Sequence, residues 1–142
     1  MKINTLVPLL AAAVMASLLL TGCQPPKPAA LSDDQVVQAV DRVLTAINTG
    51  NYQGFIQDFS DVMKIAFPES QFTSLHDLLQ NTSGNYQSCK QPALTDSKGY
   101  AVYRLPCKYD KESVMVTVTY QIDGDKIEGF FFDSTNLRKL SK

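Results

Sequence analysis

The chain has 142 residues, of which 44% are hydrophobic, with 13 basic and 14 acidic side chains and a formal net charge of −1. One globular domain is enough to account for it, and a chain of this size buries a core without structural metals. No basic run appears along the sequence, so nucleic acid is a poor candidate partner.

The N-terminus reads as a leader. Lys2 gives a minimal positive start, and Leu6 to Leu20 is an apolar stretch interrupted by Pro8 and Ser17. Secretory signals carry an apolar region of about 7–15 residues before small residues at the cleavage point. A membrane-spanning helix wants about 20 apolar residues, and the weighed alternative of a short uncleaved anchor falls below that. Leu20-Thr21-Gly22-Cys23 resembles a bacterial lipobox. The resemblance implies cleavage between Gly22 and Cys23, loss of residues 1–22, and acylation of Cys23 as the first residue and membrane anchor. Two or more acyl chains hold firmly where one is marginal. Gln24 is not the aspartate that tends to retain lipoproteins at the inner membrane. The inner leaflet of the outer membrane is therefore expected in a two-membrane bacterium, and the outer face of the plasma membrane otherwise.

Residues 23–30 form a lipidated, proline-rich tether, Gln24-Pro25-Pro26-Lys27-Pro28-Ala29-Ala30 following the cysteine. Extended at about 3.1 Å per residue, it holds residues 31–142, the single domain, roughly 20 Å from the lipid. Lipidation of Cys23 leaves two of three cysteines, Cys89 and Cys107. In an exporting compartment that even remainder reads as one disulfide, with two buried thiols as the alternative.

Ser32-Asp33-Asp34-Gln35 is a capping box, with Leu31 and Val36 placed as the staple around it. Val36, Val37, Val40, Val43, Leu44 and Ile47 then recur at helical spacing up to a glycine stop at Gly50. A second helix is expected over residues 52–59 and a third over 61–66, stopped ahead of Pro68. A fourth runs to about Gln80, with Phe72, Leu75, Leu78 and Leu79 inward.

From Asn85 the period changes to two. Residues 85–95, 100–109, 113–122 and 126–132 read as four strands, with Asp123-Gly124 as a two-residue hairpin turn. A three-residue loop at Ser97-Lys98-Gly99, closed by Asp96 and Tyr100, sets Cys89 opposite Cys107 in a non-hydrogen-bonded pair. Pro92 cannot donate to the ladder, so a bulge there shifts that count by one.

Helices followed by antiparallel strands make an α+β fold, with N-terminal helices packed on a curved four-stranded sheet. The stretch A-I-N-T-G-N-Y-Q-G-F-I-Q-D-F-S-D-V-M-K, Ala46 to Lys64, resembles the start of cone-shaped domains of the nuclear transport factor 2-like superfamily. That superfamily includes ketosteroid isomerase and SnoaL. More narrowly, the chain is similar to a domain of unknown function found in bacterial lipoproteins, for which no catalytic residues are established.

The chemistry-bearing residues are few. His76 is the single histidine, so a metal site has no second imidazole, and neither metal nor cofactor is expected. The serines at 60, 70, 74 and 83 suit caps, turns or helix faces, and Asp58, Asp61 and Asp77 suit solvent. Enzymes of the resembled fold put an aspartate and a tyrosine inside the cone, for which Asp133 with Tyr52, Tyr86 or Tyr120 are the candidates. The expected role is a non-enzymatic envelope module binding a small apolar ligand or another envelope protein, with a homodimer as one form. The alternative is an enzyme of the ketosteroid-isomerase or SnoaL type using a cavity carboxylate or His76. Phe130-Phe131-Phe132 places aromatics on both faces of the last strand, one for the core and one for a cavity or an interface.

The intact mass of the exported protein should show acylated Cys23 as residue one; a retained Met1 or cleavage elsewhere removes the lipid anchor.

Overall fold

The leader, the Gly22–Cys23 cleavage pair and the tether as far as residue 29 lie outside residues 30–140, which a computed structural model describes. Helix α1 (Asp33–Asn48) starts at the capping box: Ser32 Oγ accepts from the Gln35 amide, and the Ser32 amide donates to Gln35 Oε1 at 2.9 Å. Its stripe of Val36, Val40, Val43, Leu44 and Ile47 is buried. Gly50 closes it in a Schellman pattern, its amide bonding Ile47 O while the Asn51 amide bonds Ala46 O.

Helix α2 (Tyr52–Ile56) is shorter than its apolar pattern suggests. The reason lies beyond it, where the chain turns extended to meet the sheet. Ile127 N donates to Asp58 O, Ser60 N donates to Ile127 O, and Phe59 bridges Ile127 in parallel. Ser60 then caps α3 (Asp61–Ala66) by accepting from the Met63 amide. Helix α4 (Glu69–Thr82) buries Phe72 and Leu79, but Leu78 is 39% exposed rather than inward.

The fold class stands as expected: α+β, with helices followed by an open antiparallel sheet, consistent with a cone-like fold of nuclear transport factor 2 type. The sheet has five strands rather than four. The expected first strand is two, β1 (Tyr86–Cys89) and β2 (Ala93–Ser97), both pairing with β3 (Tyr100–Tyr109). The hairpins β3–β4 (Ser113–Gln121) and β4–β5 (Ile127–Asp133) complete the order β1-β3-β4-β5.

Two register details differ from expectation and cancel. The β2–β3 loop has two residues, Lys98 and Gly99, closed by Ser97 and Tyr100. Both loop residues have positive φ, 48° and 89°, the conformation that matches strand twist and favours glycine at the second position. That displaces the ladder by one. At Lys90 to Pro92 the β1/β2 side then carries one residue more than β3, a bulge that restores it. Cys89 therefore faces Cys107 after all, with Cα atoms 4.0 Å apart and sulfurs at disulfide distance, 1.97 Å. Pro106 sits on the central strand β3 without loss: its carbonyl accepts from Lys90 N, and its missing N–H points at the break between β1 and β2.

Alternate residues of β3 (Ala101, Tyr103, Leu105, Cys107, Tyr109) and β4 (Val114, Val116, Val118, Tyr120) are buried and pack under α1 on the concave face. Asn48 fastens β1 to that helix, its amide group donating to Tyr86 O and accepting from Tyr86 N, both at 2.9 Å. On the opposite, convex face the alternate residues are half-buried, as at Val102, Pro106, Met115, Thr117 and Thr119, or exposed, as at Arg104 and Lys108. A short terminal helix, α5 (Thr135–Leu140), was not expected. Ser134 caps it through the Leu137 amide, and the sequence cue is only a serine before a Leu137/Leu140 pair.

The Cys89–Cys107 bridge spans a sequence separation of 18 residues. Replacing both cysteines by alanine should lower unfolding free energy by about 3 kcal/mol in urea titrations, as expected for a loop of that length. Equal stability with and without reductant in the parent protein would show the bond unformed.

Candidate functional site

The helices do not fill the concave face completely. Between α2, α3, α4, β5 and α5 lies a half-open cavity of about 390 Å³. Phe55 and Phe59 form its floor, Met63 comes from α3 and Phe67 from just past its end, and Leu75, Leu78 and Leu79 come from α4. Phe130, Phe131 and Phe132 of β5 and Leu137 and Leu140 of α5 close the rest. Every lining side chain is apolar, so water inside would lack the two to four polar partners it needs.

Aromatic contacts stiffen the walls. Phe55 meets Phe59 and Phe67 at ring separations of 4.8 and 5.2 Å, Phe59 meets Phe130 at 6.2 Å, and Phe130 meets Phe132 at 5.3 Å. Such pairs are tilted or edge-on and each adds about 0.5–1.5 kcal/mol beyond area burial. The register explains the inward rings: Phe130 and Phe132 stand opposite Val118 and Val116, which are core residues. Phe131 points the other way, opposite Thr117, and is 64% exposed at the rim.

The wall supplied by α5 is held by one carboxylate. Glu112, at the β3–β4 turn, accepts from the buried hydroxyls of Ser83 (2.7 Å) and Ser134 (2.8 Å) and from the Asn136 amide (3.1 Å). It thereby ties the end of α4 to the start of α5. Burial pushes its pKa up, but these three donors outweigh that and hold it below the usual glutamate range. The same turn is fastened next door. Asp110 accepts from the Asn85 amide and side chain and from Gln87, Lys111 Nζ donates to Gln80 O and Asn81 O at the end of α4, and Gly84 leaves room that a Cβ would fill 2.7 Å from Asp110 Cβ. Gly84 also has φ of +81°. Glycine meets both demands there.

The residues singled out for proton chemistry do not converge. His76 bonds Ile47 O through Nδ1 at 2.6 Å; a carbonyl only accepts, so Nδ1 carries the proton and the ring pins α4 to the end of α1. Asp133 is bound by Arg138, which pulls its pKa down, and it meets none of the three tyrosines. Tyr52 OH donates to Phe67 O, and Tyr86 OH donates to Asp41 at 2.8 Å. Tyr120 lies deep against Tyr103, its hydroxyl buried without a hydrogen-bond partner among the described residues and its pKa raised by burial. None of these side chains lines the cavity. Asp58, expected to face water, is instead 18% exposed and paired with Arg42 at 2.8 Å. Ser60 and Ser83 act as a cap and a Glu112 donor. Among the described residues no group of three or more His, Cys, Asp or Glu could hold a metal, and no helix is long and apolar enough to cross a membrane.

A family model described as "Protein of unknown function (DUF3887)" matches residues 40–130. The chain belongs to this family. Its matched span runs from the middle of α1 into β5 and so contains the cavity's floor and its α3 and α4 walls, while α5 lies beyond it. No curated protein matches the chain.

Glu112→Ala should release α5: amide exchange over residues 135–140 should quicken, and stability should fall by about 1–3 kcal/mol, the cost of orphaning its donors. Because the folded pKa is depressed, this contribution is fully present above the ordinary carboxylate range and is lost as pH falls from there through the lower folded value. The parent and the variant should therefore converge in stability only in acid below the ordinary glutamate range. Equal urea midpoints at neutral pH would dismiss the latch.

Proposed function

We propose that the protein is a lipid-anchored cell-envelope module whose cone-shaped, nuclear transport factor 2-like domain binds a small apolar ligand. The cavity is the observation that carries this reading. Its volume of about 390 Å³ lies within the range of about 300–1,000 Å³ typical of small-molecule sites. Its lining offers hydrocarbon and aromatic surface and no ionisable group. A ligand entering it must therefore leave any charged or strongly hydrated head at the open side, since an unpaired charge inside would be heavily penalised. Burying apolar surface there is worth about 25 cal/mol per Å², which is the driving force the lining offers a ligand.

The lipobox-like Leu20-Thr21-Gly22-Cys23 supports the envelope location, and an envelope module meets apolar molecules at the membrane. An isomerase-type reaction finds less support. It needs an acid or base beside the ligand, and His76 and Asp133 are engaged elsewhere in structural bonds.

Titration with the fluorescent apolar probe N-phenyl-1-naphthylamine should saturate at one site and be reversed by palmitate. Leu78→Glu, at a partly exposed rim position, should keep the melting temperature and weaken probe binding at least tenfold. No saturable binding, or binding indifferent to that charge, would remove the proposal.

A further inference from the structure

The convex sheet face has its own character. Its outward residues follow from the pleat, since they alternate with the buried set: Val102, Arg104, Pro106 and Lys108 on β3, and Met115, Thr117 and Thr119 on β4. Lys90, just beyond β1, shares one depression with Ser88, Pro106 and Lys108, whose lining also takes in Asp110, Lys111 and Glu112. Three cations, at 90, 104 and 108, thus stand on a face of a chain whose net charge is −1.

The acidic groups nearby are already engaged. Asp133 is bound by Arg138, Asp110 faces Asn85 and Gln87, and Glu112 holds Ser83 and Ser134. Lys90 and Lys108 have no side-chain partner among the described residues, and Arg104 acts on Asp133 only through its field. The middle of the face is uncharged, and Phe131 projects from its β5 side at 64% exposure.

We infer that this face docks on an anionic lipid bilayer, with Lys90, Arg104 and Lys108 against the headgroups and Phe131 at the interface. Charge complementarity selects the partner: each lysine or arginine near an anionic leaflet contributes about 1 kcal/mol, a factor of roughly five. Aromatic rings favour the headgroup level. Three cations are too few to hold a free protein at physiological salt, but a domain already tethered by lipid needs no more, because its effective concentration at the surface is high. In that respect the inference rests on the envelope-anchored reading. Docking by this face turns the helical layer away from the headgroups and leaves the Phe131 rim of the cavity at their level.

The test uses protein purified intact from membranes and placed in nanodiscs of phosphatidylcholine alone or mixed with phosphatidylglycerol. Lysines are then modified with an amine-reactive reagent and quantified by peptide mass spectrometry. Lys90 and Lys108 should be labelled at least fivefold more slowly on the mixed discs, with full labelling restored by high salt. Lys64 and Lys126, beside the helical layer, should be unchanged. Arg104→Glu should abolish most of the protection while leaving the melting temperature intact. Incorporation into neutral discs reports the anchor separately, so a missing lipid and a non-docking face give different results. Equal labelling on both discs overturns the inference. So does protection that ignores lipid charge and rises with protein concentration, which would assign the face to a second copy.

Discussion

Strand β3 pairs with β1 and β2 along one side and with β4 along the other, so its register decides what faces inward across most of the sheet. In the observed register Ala101, Tyr103, Leu105, Cys107 and Tyr109 are buried beneath α1, and Val102, Arg104, Pro106 and Lys108 face out. A slip of one residue would exchange the two sets, forcing Arg104 and Lys108 into the core. The two-residue turn at Lys98-Gly99 fixes one end of the ladder and the bulge at Lys90 to Pro92 corrects it before Cys89 reaches Cys107. The sulfur pair then holds the corrected register against the central strand. The outward cations descend from this alignment, and through the β3–β4 and β4–β5 pairings so does the inward placing of Phe130 and Phe132.

The cavity exists because the helical layer is built from short pieces. α1 is long enough to cover β3 and β4 with one stripe, but α2, α3 and α5 have five or six residues each. Such helices are marginal alone, so their placement depends on local fastenings. Ser60 caps α3 and also donates to Glu128 on β5 at 2.9 Å, and Glu112 gathers the end of α4 and the start of α5. Short helices pinned at their ends bridge over space rather than packing into it. This arrangement leaves Leu78 partly exposed at the cavity rim, although its helical period places it inward.

Helix α1 was legible in full because its capping box, stripe and glycine stop agree with one another. The long strands β3 and β4 were legible for a similar reason, strict alternation over nine or ten residues. The facing cysteines were also foreseen, although from a turn one residue too long whose error the bulge removed. The division of β1 from β2 was not read, because Pro92 marks an interruption without fixing its length. α5 was missed because six residues hold too little periodic signal, and its decisive partner, Glu112, lies 22 residues before Ser134. For the cavity, Phe130-Phe131-Phe132 was legible as aromatics divided between the two faces of the last strand, but inward residues look alike in sequence whether they meet a neighbour or a void. The outward cations were equally hidden, since pleating gathers residues that stand far apart along the chain.

The sheet's edges restrict how this domain can join others through its backbone. On the β5 side, the extended residues around Phe59 already occupy the hydrogen-bonding positions of Ile127. On the β1 side, the Asn48 carboxamide stands in for a missing strand by engaging both backbone groups of Tyr86. The five-residue strand β2 has neither kind of cover among the described residues. Strand-to-strand polymerisation is consequently denied Ile127 and Tyr86 as footholds, in keeping with the blunted borders by which β proteins resist aggregation.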